Sequence, residues 1–93
     1  MKPALLLIDI QSDFLQREGL NPPPLELIDN VYRLLSSLRA AEVPVVHVHT
    51  LVSADGSDRM PHWKHQDHWA CVEGSAGCQP PLELLPLEDE QVV

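Results

Sequence analysis

Asp9, Gln11 and Asp13 stand at the end of a fully apolar run, Ala4-Leu5-Leu6-Leu7-Ile8, and their residue types are those of acid and base chemistry. A carboxylate partly desolvated at a strand end, beside a cation or a thiol, holds a proton more tightly and can serve as a general base. The other role open to either aspartate is to cap the turn that follows the strand. Asp9 and Asp13 are four residues apart, so they share a face only where the segment between them turns helically.

Two further groups could do chemistry. His62, His65, His68 and Cys71 recur at steps of three, downstream of His47 and His49, and such a stripe could hold a metal if one helix carried it. Zinc ligands usually come from separate elements, however, and Pro61 and Trp63 among alternating charges suit an ordered loop. No metal or other cofactor is expected, and a small metal protein stays a third reading. Cys71 and Cys78 have the chemistry of nucleophiles, but neither follows a sharp strand-to-helix turn that would aim a thiolate, so both read as buried or incidental thiols. Trp63 and Trp69 flank Lys64, a cluster suited to a substrate pocket or an oligomer interface. Gly74-Ser75-Ala76-Gly77 lacks the Lys-Ser or Lys-Thr of a phosphate loop and reads as a turn.

These residues need elements to position them. The first apolar run has the length of a strand buried on both faces, and open α/β sheets bind ligands outside the carboxyl ends of such strands, where Asp9 lies. Phe14 to Gly19 is a polar connection, and Pro22-Pro23-Pro24 is a stiff lead-in. From Leu25 to Ala41 the apolar positions Leu27, Ile28, Val31, Leu34, Leu35, Leu38 and Ala41 recur at helical spacing, which predicts an amphipathic helix. Pro44 ends it, and Val45 to Thr50, rich in β-branched residues, predicts a second strand. Strand, helix and strand form the crossover unit of a parallel sheet, whose two faces one helix cannot cover. From Ser53 the periodicity disappears into a long irregular region. Leu82 to Leu85 fits a short helix stopped by Pro86, and Gln91-Val92-Val93 the first residues of another strand.

Composition narrows the function classes. At 93 residues the chain is at most one domain. Lys and Arg number 6 against 14 Asp and Glu, a formal charge of −8, which argues against nucleic acid and anionic lipid as partners. No run approaches the roughly 20 apolar residues of a membrane span, and two cysteines are too few for a disulfide framework. The expectation is a reduced, cytoplasmic protein.

The ordered set of Asp9-Ile10-Gln11-Ser12-Asp13-Phe14 after an aliphatic strand, Glu42-Val43-Pro44, the strand Val45 to Thr50, and Val72-Glu73-Gly74-Ser75-Ala76-Gly77 before Pro86 and Val92-Val93 resembles the isochorismatase-like cysteine hydrolases. The resemblance implies a doubly wound, Rossmann-like α/β fold in three layers, α/β/α, of which residues 1–93 would be the N-terminal part. It implies a triad of Asp, Lys and Cys in which Asp9 takes the proton of the thiol. The lysine would follow the strand begun at Val92-Val93 and the cysteine a later turn, so neither Cys71 nor Cys78 inherits the role. Metal-binding members carry Asp-x-His after the second strand; His47-Val48-His49-Thr50 lacks that aspartate, which points to a metal-free relative. By the same resemblance Gln11, Phe14 and Trp63 border the pocket of a small-molecule substrate. The complete form would cleave an amide or related C–N or C–O bond, and the 93 residues alone would be inactive. The alternative is a noncatalytic α/β binding or assembly module that completes its sheet with a partner chain or a second copy, because an exposed strand edge invites pairing.

Overall fold

Leu5 to Ile8 extend as the first strand, β1 (Leu5–Ile8), in a computed structural model that describes residues 2–93. A single helical turn, α1 (Ser12–Leu15), follows, and then the long helix α2 (Pro24–Ala40). Pro24 occupies the first helical turn, where a missing N–H costs nothing, and Glu26 complements the positive end of the helix dipole. At the other end Glu42 turns left-handed (φ 59°), the Val43 amide donates to the Leu38 carbonyl at 2.9 Å, and the Glu42 amide donates to Arg39 at 3.0 Å. This is a Schellman closure with glutamate where glycine is usual. Pro44 then releases the chain into β2 (Val45–Val48).

β1 and β2 pair in parallel, Leu5 with Val45 through Ile8 with Val48, and β3 (Gln91–Val92) adds in parallel on the far side of β2. The helix, both strands and the start of the third therefore fall where the residue pattern puts them. Leu82–Leu84 forms a 3-10 turn within the stretch expected to be helical. Between β2 and that turn lie two short elements the pattern does not announce, α3 (Pro61–His65) and a 3-10 turn at Ala76–Cys78.

α2 lies on one face of the sheet. Leu7, Val45, Leu35 and Leu84 form the core there, with Leu5, Ile10, Ile28 and Val31 packed around it. Leu35 and Leu84 are almost fully enclosed, and burial on that scale is worth about 1.5–3 kcal/mol for each side chain. A second cluster of Val52, Trp63, Ala70, Cys71 and Cys78 fills the irregular region and orders it. The opposite sheet face is open: Leu6 and Ile8 are each 57% exposed, against 7% for Leu7 between them. The expectation of a strand buried on both faces therefore fails within these residues, because α2 covers one face alone.

Beyond the core, an ionic clamp ties the segment before β3 to the rest of the sheet. The Glu90 carboxylate accepts from Arg39 Nε (2.7 Å) and Nη2 (2.6 Å) on α2 and from the Leu87 amide (3.0 Å), and lies 2.8 Å from Nε2 of the buried His47 on β2. Among the described residues, no helix is long and apolar enough to cross a membrane.

Candidate active site

Asp9 sits one residue past β1, its amide still donating to the Val48 carbonyl at 2.8 Å, so the ladder carries it into line with the end of β2. Its backbone then turns left-handed (φ 59°), a conformation aspartate tolerates better than most residues. The half-buried carboxylate accepts a hydrogen bond from the Thr50 hydroxyl at 2.9 Å. Thr50 is thus the partner of Asp9, one that no motif in the sequence singles out.

Gln11 is fully enclosed. Its Nε2 donates to the carbonyls of Thr50 and Cys78, each at 2.8 Å, and its Oε1 accepts from the Thr50 amide at 2.8 Å. The amide thereby copies one rung of a strand ladder and fixes the loop after β2 to the loop around Cys78. Every polar atom of the Gln11 side chain is thus engaged in tying these two loops together.

Asp13 follows on α1, so the segment after the strand does turn helically. Its Oδ2 accepts from the Cys71 amide at 2.7 Å, and Cys71 meets it in a left-handed conformation (φ 54°). A Cβ at Gly77 would land on the Asp13 carboxylate, so this approach requires glycine. Gly77 had read only as part of a turn. The Ser12 amide and hydroxyl both donate to the Gln79 carbonyl at 2.9 Å, which seats α1 on the same loop.

Both thiols are free and buried. Burial, reinforced by Asp13, Cys78 and Asp9, pushes the Cys71 thiol up to about 12. Burial first, and then Asp13, raises Cys78 as well, against a hydrogen bond from Gln11. Neither is poised as a thiolate.

Phe14 and Trp63 face each other with ring centres 6.5 Å apart and planes tilted by 51°. Together with Asp13, Arg17, His62 and His68 they line a cavity of about 370 Å³, of which Asp9 is not part of the lining. The histidines divide among separate tasks. His68 packs edge-on to Trp63 at 5.1 Å and His62 at 6.1 Å, His47 lies against Glu90, and burial, with His47 beside it, lowers the proton affinity of His49. Among the described residues no three His, Cys, Asp or Glu side chains are grouped to hold a metal ion. Trp69 lies apart, 43% exposed, with the Arg59 guanidinium 4.0 Å over its ring.

Residues 3–93 match the model of the isochorismatase domain. Solved structures similar to the chain include an isochorismatase family protein from Desulfovibrio vulgaris subsp. vulgaris str. Hildenborough (TM-score 0.74, 31% identity, 96% of this chain and 50% of that one). A second is N-carbamoylsarcosine amidase from Thermoplasma acidophilum (TM-score 0.75, 21% identity, 99% and 50%), a likeness of fold. A third is an isochorismatase from Pseudomonas putida KT2440 (TM-score 0.65, 26% identity, 96% and 39%). The chain thus spans half or less of the length of these structures. No curated protein matches it.

Proposed function

The chain belongs to the isochorismatase family, and we propose that it carries the general-base arm and one wall of the substrate pocket of a cysteine hydrolase. The observation that carries this reading is the strand-end carboxylate of Asp9, turned out of the ladder and held by the Thr50 hydroxyl. In the reaction Asp9 accepts the proton of a thiol, and the thiolate attacks a carbonyl or related carbon of a small molecule. Collapse of the adduct expels the amine or alcohol, and water then releases the acid from the thioester. A lysine would balance the charge of Asp9 and of the thiolate. Neither Cys71 nor Cys78 serves as that thiol in this reading, since both are inward-facing and hold their protons tightly. Gln11 positions Thr50, and Thr50 positions Asp9. Phe14 and Trp63 contribute the apolar walls. Two unpaired cysteines support a reducing, cytoplasmic setting.

The test is a chimera in which residues 1–93 replace the N-terminal half of the Desulfovibrio relative, checked for folding by circular dichroism and sedimentation. It is assayed on a panel of small amides that includes N-carbamoylsarcosine. Turnover by the chimera should fall by about 10²-fold or more on Asp9→Asn, and residues 1–93 alone should show none. Turnover that survives Asp9→Asn refutes the base, and turnover by residues 1–93 alone that Cys71→Ala abolishes refutes the external nucleophile.

A second reading rests on the open sheet face: with Leu6 and Ile8 in solvent, the chain would act as a noncatalytic module that completes its sheet with another polypeptide.

A further inference from the structure

Three of the four arginines are engaged: Arg33 pairs with Asp29, Arg39 with Glu90, and Arg59 with Asp67 and the Trp69 ring. Arg17 makes no ion pair and no side-chain hydrogen bond among the described residues, although the chain carries 14 acidic side chains. It stands in the lining of the cavity walled by Phe14 and Trp63. The one carboxylate in that lining, Asp13, does not pair with Arg17: its Oδ2 accepts from the Cys71 amide at 2.7 Å, and the absence of a side chain at Gly77 leaves room for it. The cavity thus brings two tilted aromatic rings together with an arginine that has no ion pair and no side-chain hydrogen bond among the described residues.

That combination has a defined chemical preference. Aromatic walls favour a flat, apolar body, and a guanidinium offers two parallel N–H donors that match the two oxygens of a carboxylate. His62, His68 and Gln66 also line the cavity and add polar edges without adding a negative charge. We propose that the cavity selects a flat small molecule bearing one carboxylate, with Arg17 as the specificity-determining anchor and Phe14 and Trp63 as the walls. This deepens the reading of the cavity as the substrate pocket and rests on it for its meaning in catalysis, but it concerns binding alone.

The experiment is therefore a titration without turnover. Benzoate, its neutral isostere benzamide, and benzylammonium are added in turn to the 15N-labelled chain and followed by amide chemical shifts. Benzoate should saturate shifts at Phe14, Trp63 and His68, with a dissociation constant on the order of millimolar for so small a ligand. Benzamide should bind about tenfold more weakly or worse, as expected for the loss of a charged hydrogen-bonding partner, and benzylammonium should leave these shifts unmoved. Arg17→Gln should bring benzoate down to the level of benzamide, and Arg17→Lys should recover part of the difference. Because the Arg17 side chain is exposed and contacts no partner, both variants should keep the parent spectrum elsewhere. Benzoate and benzamide binding equally, no benzoate binding, or shifts centred on Leu15 and Ile28 in the groove on the other side of Arg17 would each overturn the proposal. None of these outcomes bears on Asp9, so the hydrolase reading stands or falls separately.

Discussion

A thiol held at about 12, as burial and the neighbouring carboxylates hold Cys71, is ionised in about one molecule in 10⁴ at pH 8. The sign is that of a buried acid: the neutral form is favoured, and reactivity rises with pH only above the normal thiol range. Iodoacetamide at pH 8 should therefore leave Cys71 and Cys78 of the native chain unmodified over a time in which both react completely in urea. Mass spectrometry reads this directly, and rapid native alkylation of Cys71 would return it to the list of nucleophiles. The same residues show what a sequence discloses at this scale. Asp9 was legible because it ends an aliphatic run, and its neighbours in sequence are enough to mark a strand end. The tie that Gln11 makes has no local signal, because the partners of its amide, Thr50 and Cys78, lie 39 and 67 residues away. Thr50 and Gly77 carried no local signal, since a hydroxyl and a turn glycine are common, and only the tertiary approach of Asp9 and Asp13 gives them their tasks.

Elements differ in how much of their cause is local. α2 repeats an apolar stripe over 17 residues and is closed by Pro24 and Pro44, so its pattern announces it. α1 and α3 are single turns of four and five residues, too short to be stable alone or to show a period. They exist because Asp13 and Trp63 are held from outside. β3 is two residues long and depends on the clamp in front of it, where Arg39 first, and then the Leu87 amide and His47, hold the Glu90 carboxyl at about 2 against an ordinary 4.5. A depressed carboxyl stabilises the fold above its unfolded value, and that contribution is lost as pH falls through the window from about 4.5 to about 2. The Glu90 side chain is only 8% exposed, so the linkage is worth on the order of 2–3 kcal/mol. Unfolding free energies from urea titrations at pH 7 and pH 3 should differ by about 2 kcal/mol more in the parent than in Glu90→Gln, and Glu90→Gln should itself be destabilised at pH 7. An acid limb that is identical in the two proteins would mean that the clamp is open in solution.

The whole molecule is looser than its length warrants. Its accessible surface is 6563 Å², where a monomer of 10.4 kDa is expected to show about 5,400 Å², and its radius of gyration is 14.5 Å against about 12 Å for 93 residues. Part of the excess lies on the bare side of the sheet. Register places Leu6, Ile8, Val46 and Val48 on that side, opposite the face that α2 covers. A net charge of −8 opposes nonspecific association and keeps such a surface in water. The native chain should therefore bind the dye ANS, and the double variant Leu6→Thr, Ile8→Thr should lose most of that fluorescence. Threonine has the β-branched shape a strand favours, so the urea-derived stability should change by less than about 1 kcal/mol. Leu7→Thr, one residue away but 7% exposed, should cost about 3 kcal/mol or unfold the chain, because it places a hydroxyl among Leu35, Val45 and Leu84. If the double variant proves as costly as Leu7→Thr, the face is covered in solution. Sedimentation equilibrium would then show a species of twice the chain mass.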